Sequence, residues 1–332
     1  LFRSHFGSGP EAVLELAGDG SSRRYHRIRG PDGVTAIGGT GPDREENRAF
    51  LSYSASLRGV GLPVPEIYAA DEDAGVWIEE DLGDTTLYSA IEEARSSGSA
   101  EGFPVAVIPA YERVLDWLPR FQLEGHEAVD YSVAYPRAAF DRQSIQWDLN
   151  YFKYHFLKLA HIAFNEQRLE RDFETLTRFL LQSDADHFLY RDFLSRNVML
   201  REGEPWFIDY QGGRRGALPY DVASLLYDAK ADLPDGLRQR LLEHYLDALT
   251  EYRADDREKF EIEYRGYVVV RILQALGAYG YRGFFERKPR FLRSVPYAAR
   301  NLAGIVNRGL PAELPELESV FGRIADRYAS EL

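Results

Sequence analysis

A change of hydrophobic period part-way along the chain constrains the fold more than any other feature. From Ala12, AVLELAGDGSSRRYHRIRGPDGVTAIGGTG consists of short apolar or alternating runs broken by Gly, Asp and Ser clusters, the punctuation of strands joined by hairpins. DREENRAFLSYSASLRGVG then turns to helical spacing: Ala49, Tyr53 and Leu57 share a face, Asp43 is placed to cap the start, and Gly59 and Gly61 can end the helix. VWIEEDLGD reads as a compact strand stopping at Leu82-Gly83-Asp84. Beyond it, stretches such as YERVLDWLPRFQLEG, LERDFETLTRFLLQSD, PYDVASLLYDAKADL and YRGYVVVRILQALGAYGY repeat apolar residues at three- and four-residue intervals. The expected class is α+β, with a β-rich lobe over 1–84, a hinge at 79–84 and a helical lobe over 85–332. EEARSSGSAEGF is the expected flexible spot.

The chain has 332 residues, 45% of them hydrophobic, enough for more than one core. Its formal net charge of −13 repels phosphate backbones and anionic lipid, so neither nucleic acid nor membrane is an expected partner. Cysteine is absent, which removes disulfides, thiolate metal sites and cysteine nucleophiles together. The seven histidines show no paired metal spacing, leaving zinc without support. LFRSHFGSGPEAVLELAG lacks the apolar centre of a signal peptide and no apolar run reaches membrane-spanning length, so a cytoplasmic location is expected.

One stretch breaks the helical regime. FLYRDFLSRNVMLREGEPWFIDYQGG, from Phe188, contains two short strand-like runs around a Gly turn, and it carries Asp192, Asn197 and Asp209 among residues that prefer burial. Asp192 and Asn197 have the spacing of a kinase catalytic loop, and Asp209 stands on the next strand where a metal-binding Asp belongs. Phosphoryl transfer needs a carboxylate to orient an acceptor hydroxyl and oxygen ligands to hold a cation on the β and γ phosphate oxygens. Mg²⁺ keeps most of its waters and takes few protein carboxylates, which a lone Asn and a lone Asp satisfy. Phe193, Val198, Met199, Leu200, Phe207 and Ile208 would form the buried back of this loop. Singly, each polar residue also reads as an ordinary cap or turn.

GDGSSRRYHRI, VPEIYAAD, EEDLGD, YRDFLSRNVM, IDYQGGRRG and YDVASLL together resemble the aminoglycoside phosphotransferase and choline kinase-like superfamily, in particular its branch of anomeric N-acetylmuramate and N-acetylglucosamine kinases. The likeness covers most of the chain, is strong from Tyr190 to Asp228 and fades in the last quarter. It implies a bilobal protein-kinase-like fold, ATP and Mg²⁺ as cofactors, and transfer of the γ-phosphoryl group to a sugar hydroxyl in cell-wall sugar recycling, by a monomer. It also implies Asp192 as catalytic base, Asn197 and Asp209 as metal ligands, Arg196 facing phosphate or substrate, and Asp221 as a helix cap beneath the loop. An aminoglycoside or other small alcohol is the alternative acceptor, and a nucleotide-binding pseudokinase the alternative class.

Two departures from the kinase pattern stand out. Tyr190 replaces the usual His, and the strand GVTAIGGT offers Thr35, Ala36, Ile37 and Gly38 where a kinase carries its phosphate-binding Lys; no lysine precedes Lys153. Either Arg23 and Arg24 supply the cation, or backbone amides of the GDGSS turn and Mg²⁺ suffice, with the arginines favoured because guanidinium binds phosphate bidentately. Ser21 and Ser22 offer hydroxyl and amide donors to phosphate. Glu46 resembles the partner of the absent Lys. Backbone groups around Glu79 to Leu82, Glu80 and Leu82 in particular, are placed to read the adenine edge. In QWDLNYFKYHF, Trp147, Asp148 and Tyr151 mix aromatic faces and a carboxylate suited to a sugar, although the same spacing serves a helix core.

Overall fold

The computed structural model describes residues 1–16, 22–97, 102–254 and 256–330. The elements begin with α1 (Phe2–Phe6), β1 (Ala12–Glu15), β2 (Arg24–Arg29), β3 (Thr35–Thr40), α2 (Arg44–Gly59), β4 (Ile67–Asp71), β5 (Val76–Glu80), α3 (Leu87–Ser96) and α4 (Ile108–Ala128). Then come α5 (Arg142–Tyr151), α6 (Glu166–Leu180), β6 (His187–Leu189), β7 (Val198–Arg201), β8 (Glu204–Phe207), β9 (Arg214–Gly216) and α7 (Pro219–Leu226). The chain closes with α8 (Asp235–Thr250), α9 (Arg257–Gly280), α10 (Val295–Arg308) and α11 (Pro315–Tyr328). A small β-rich N-lobe thus precedes a larger, mostly helical C-lobe.

The chain groups into two compact units: Leu1–Ser99, Pro104–Ala138 and Tyr190–Arg215 form the first; Ala100–Phe103, Ala139–Leu189 and Gly216–Leu332 form the second. Where sequence patterning divides the chain after residue 84, the first unit also takes in α4 and the Tyr190–Arg215 stretch. The physical links are visible in the backbone. Phe207 N donates to Pro63 O at 2.8 Å and Leu200 N to Thr85 O at 2.8 Å, so the β7–β8 hairpin hangs from the chain on either side of the fourth and fifth strands.

The first unit is built on an antiparallel five-stranded sheet of order β1-β2-β3-β5-β4. Helix α2 packs its apolar stripe beside it, with Ala49, Tyr53 and Leu57 fully buried. Asp43 caps the helix as expected, accepting from the backbone N–H groups of Glu45 and Glu46. The Gly turn expected between the two short strands is a tight hairpin, with Glu202 and Gly203 both at positive φ and Val198 paired to Phe207. EEARSSGSAEGF begins in the last turns of α3, and its residues 98–101 lie outside the described residues.

In the second unit α9 is the central helix, with α5, α6, α7 and α10 packed on it. Tyr267 of α9 donates to Leu180 O at 3.0 Å, and Arg271 donates to the Tyr220 hydroxyl at 2.9 Å. QWDLNYFKYHF, expected as one α-helix, changes type: α5 ends at Tyr151 and Phe152–Leu157 is a π-helix. The widened turn faces two glycines of α9. A side chain at Gly280 would run into the His155 carbonyl, and one at Gly277 into the Tyr151–Phe152 backbone, so the two backbones touch where only glycine fits. Asp221, expected as a cap, is instead fully buried in the first turn of α7, while Leu218 holds the cap position.

Candidate active site

The Asp192–Asn197 loop closes on itself. Leu194 N donates to Asp192 O at 2.9 Å, Asn197 N to Leu194 O at 2.9 Å, and Asn197 Nδ2 to Asp192 O at 2.8 Å. This leaves the Asn197 amide facing Asp209, whose Oδ2 it meets at 3.1 Å. Asp209 and Arg191 both adopt positive φ, 70° and 82°, which costs a side chain other than glycine and is tolerated where surrounding contacts over-determine it. The apolar residues around the loop supply those contacts: Phe193, Val198 and Phe207 are buried, and Phe193 stacks on Phe207 with centroids 5.5 Å apart. Tyr190, in place of His, donates its hydroxyl to Ile208 O at 2.6 Å and so pins the residue before Asp209.

Burial raises the Asp209 carboxyl above the ordinary carboxylate range, and the negative charge of Asp192 adds to it; the hydrogen bond from Gln211 and the charges of Arg196 and Arg23 oppose. Carboxylates crowded in this way are what a divalent cation relieves. Among the described residues no group of three or more His, Cys, Asp or Glu could hold a metal. A cation that completes its shell with water and phosphate needs fewer protein ligands, and Asp209 with Asn197, whose amide carries an oxygen beside its donor Nδ2, fits that demand.

Helix α2 grips the segment after Asp209 with residues one and two turns apart. Phe50 stacks on Tyr210 with centroids 5.6 Å apart, the Ser54 and Tyr210 hydroxyls are 2.7 Å apart, and Tyr53 donates to Gly213 O at 3.1 Å. One turn earlier, Glu46 Oε1 accepts from Gln211 Nε2 at 3.4 Å, and the same Nε2 donates to Asp209 Oδ1 at 2.9 Å. Gln211, Tyr210 and Ser54 were not singled out from sequence. A polar residue two positions beyond Asp209 was visible there, but nothing local marks it as a partner of a helix more than a hundred residues away.

The two arginines of the first hairpin part company. Arg23 is buried: its guanidinium lies 5.1 Å from the Phe50 ring centroid and 5.3 Å from that of Trp77, and Nη2 is 3.6 Å from Glu46 Oε1 and donates to Glu46 O at 3.2 Å. Arg24, the next residue, is exposed, as is Ser22. Ser21 lies outside the described residues. Sheet register fixes one glycine of the strand without lysine. Gly39 of β3 lies opposite Trp77 of β5, and any side chain at Gly39 would enter the indole. Trp77 therefore fills the space beside β3, and the cation reaches Glu46 from the start of β2.

At the end of β5, Glu80 turns its carboxylate to Arg201 Nη1 at 2.6 Å and its backbone N–H to Glu66 O at 2.8 Å. Leu82 is buried. Arg27 ties this loop to β2, with Nη1 donating to both Asp84 oxygens at 2.8 and 3.0 Å and Nη2 to Asp81 Oδ1 and Gly83 O, each at 3.0 Å. Glu79, beside it, is buried near Trp77 and Arg23, and burial pushes its carboxyl up to about 8.

Arg196 is exposed on the turn before Asn197. Trp147, Asp148 and Tyr151 belong to α5 in the second unit: Trp147 is exposed, Asp148 is buried, and Tyr151 packs against His155 and Tyr281 at 4.7 and 5.9 Å.

Residues 12–256 match the family described as the phosphotransferase enzyme family. The chain is 29% identical over 321 residues to an N-acetylmuramate/N-acetylglucosamine kinase of Pseudomonas aeruginosa, spanning 93% of this chain and 88% of that protein. Among solved structures it is similar to the choline kinase LicA of Streptococcus pneumoniae, with a TM-score of 0.55 and 16% identity over 92% of this chain and 96% of that one. It is likewise similar to the ternary complex of streptomycin, ATP and APH(2")-IIa, with a TM-score of 0.56 and 12% identity over 88% of this chain and 94% of that one, a likeness that concerns the fold.

Proposed function

The chain belongs to the phosphotransferase enzyme family and acts on an alcohol group, and from that premise we propose that it is an ATP- and Mg²⁺-dependent sugar kinase. Its acceptor is the anomeric hydroxyl of an N-acetylated amino sugar, N-acetylmuramate or N-acetylglucosamine, in the recycling of cell-wall sugars. The observation that carries the chemistry is the meeting of Asn197 and Asp209 at 3.1 Å beside the Asp192 backbone. The acceptor class is supported by the name of the Pseudomonas aeruginosa relative.

In this reading Asp192 orients the acceptor hydroxyl and takes its proton as the oxygen bonds to the γ-phosphorus and the bond to the ADP oxygen breaks. Asn197 and Asp209 would hold Mg²⁺, which would supply positive charge to offset the negative charge developing on the transferred phosphoryl group. Arg23, buried against Phe50 and Trp77 and braced by Glu46, serves as the phosphate-side cation that β3 lacks. Backbone groups at Glu80 and Leu82 read the adenine, and Ser22 and Arg24 lie on the chain that covers the phosphates. Arg196, on the turn before Asn197, faces the acceptor, and Trp147, Asp148 and Tyr151 are the α5 residues whose aromatic faces and carboxylate suit a sugar.

The braced Arg23 also favours a working kinase over a nucleotide-binding protein without turnover, because the missing lysine was the strongest argument for the latter. ADP release measured with N-acetylmuramate, N-acetylglucosamine, other hexoses and aminoglycosides tests the proposal, with phosphorus NMR of the product to distinguish an anomeric phosphate from an ordinary ester. Turnover confined to aminoglycosides would replace the acceptor, and ADP release with none of them would remove the activity.

A further inference from the structure

Gln211 lies between two carboxylates that the proposed mechanism uses for different purposes. Its Nε2 has two hydrogens. One points to Asp209 Oδ1 at 2.9 Å and the other to Glu46 Oε1 at 3.4 Å. The second Asp209 oxygen is taken by Asn197, so Gln211 is what orients the remaining one. Its own Oε1 is buried and accepts no hydrogen bond within the described residues, so the amide is anchored through its nitrogen alone. Glu46, in turn, faces Arg23 at 3.6 Å. An unbroken sequence of polar contacts therefore runs Arg23, Glu46, Gln211, Asp209, Asn197 and ends on the Asp192 carbonyl.

We infer that Gln211 is a positioning residue that joins the Arg23–Glu46 pair to the Asp209 carboxylate, so that the phosphate-side cation and the metal-binding oxygen are set as one unit. Two features require such a donor. Asp209 sits at φ 70°, a conformation that persists only where surrounding contacts over-determine it. Glu46 and Asp209 would also repel across a gap that an apolar side chain could fill but not screen; an amide N–H pair attracts both at once. Tyr210 keeps the amide at this height, since its ring is clamped by Phe50 and its hydroxyl by Ser54. Because coupling between two binding events is reciprocal, Mg²⁺ and nucleotide phosphate each strengthen the other through this bridge.

The inference rests on the reading of Asp209 as a metal ligand, and a test on ADP and Mg²⁺ without acceptor separates the two. Calorimetry of ADP binding with and without Mg²⁺ gives the gain due to the metal. In Gln211→Met, which keeps the length and loses the donor, the half-saturating Mg²⁺ concentration is expected to rise about threefold to tenfold, while metal-free ADP affinity stays within about twofold. Glu46→Ala attacks the bridge from its other end and keeps Gln211, and the double variant is expected to lose no more than the larger single loss. Unchanged Mg²⁺ dependence in Gln211→Met, or losses that add in the double variant, would overturn the inference. A wild-type protein whose ADP affinity ignores Mg²⁺ would overturn the metal assignment, and the inference with it.

Discussion

Arg23 Nη2 stands 3.6 Å from Glu46 Oε1, with 1% of the arginine side chain exposed and two aromatic rings against its guanidinium. A cation so enclosed is fixed in place before phosphate arrives, which is what electrostatic stabilisation of a transition state requires. Arg23→Met is expected to lower kcat by about 10²–10³-fold. Arg23→Lys is expected to recover part of that loss, since charge returns without the planar fork. Steady-state kinetics on both, with melting curves to establish folding, checks this; full activity in Arg23→Met would return the phosphate contact to backbone amides.

Gly39 owes its identity to Trp77. Gly39→Ala forces a methyl group into the indole and is expected to destabilise the protein by about 1–3 kcal/mol, as overpacking of a filled core does. Urea denaturation reads the loss. Combining it with Trp77→Leu should make the alanine less costly than in the parent, because the atoms it meets are gone; equal cost in both backgrounds would mean the strain lies elsewhere.

Asp192→Asn keeps the shape of the loop and removes the proton acceptor. Turnover is expected to fall by roughly 10²–10⁴-fold, with nucleotide affinity in the presence of Mg²⁺ little changed. Single-turnover kinetics alongside calorimetry distinguishes this from a binding defect. Wild-type rates in the variant would take Asp192 out of the reaction.

Glu79 makes stability depend on pH with a definite sign. Burial lifts its carboxyl to about 8 from a usual value of 4.5, against the nearby Trp77 indole and the charge of Arg23; the buried hydroxyls of Tyr25 and Tyr210 also lie within its field. The folded state therefore binds this proton more tightly than the unfolded chain, so the contribution is complete below pH 4.5 and is lost as pH rises through 8. Glu79→Gln abolishes that dependence. Melting temperatures of the two proteins across this window should converge at acid pH and diverge toward pH 8, the variant being the more stable there; parallel curves would refute it.

Much of this was legible in the chain. Strict local patterns betray themselves: the Asp43 cap, the stripe of Ala49, Tyr53 and Leu57, and the β7–β8 hairpin all depend on neighbours within a few residues, and each appears as expected. The spacing of Asp192 and Asn197 is of the same kind, because one tight loop sets their distance, and it brought the Asp209 partnership within reach. The π-helix after Tyr151 was not legible, since it follows from close contact with glycines of α9 far along the chain.

Period and residue spacing determined the α+β class, the strand-rich start before the helical remainder, and which oxygens stand on the Asp192–Asn197 loop. Tertiary structure alone decided which arginine is enclosed, why Gly39 carries no side chain, and that Gln211 lies between Glu46 and Asp209. The reason is one of range. Helical and strand periods are set by bonds between near neighbours, whereas the register that puts Trp77 over Gly39 and the packing that carries α2 to Tyr210 join residues whose separation along the chain leaves no mark in either segment.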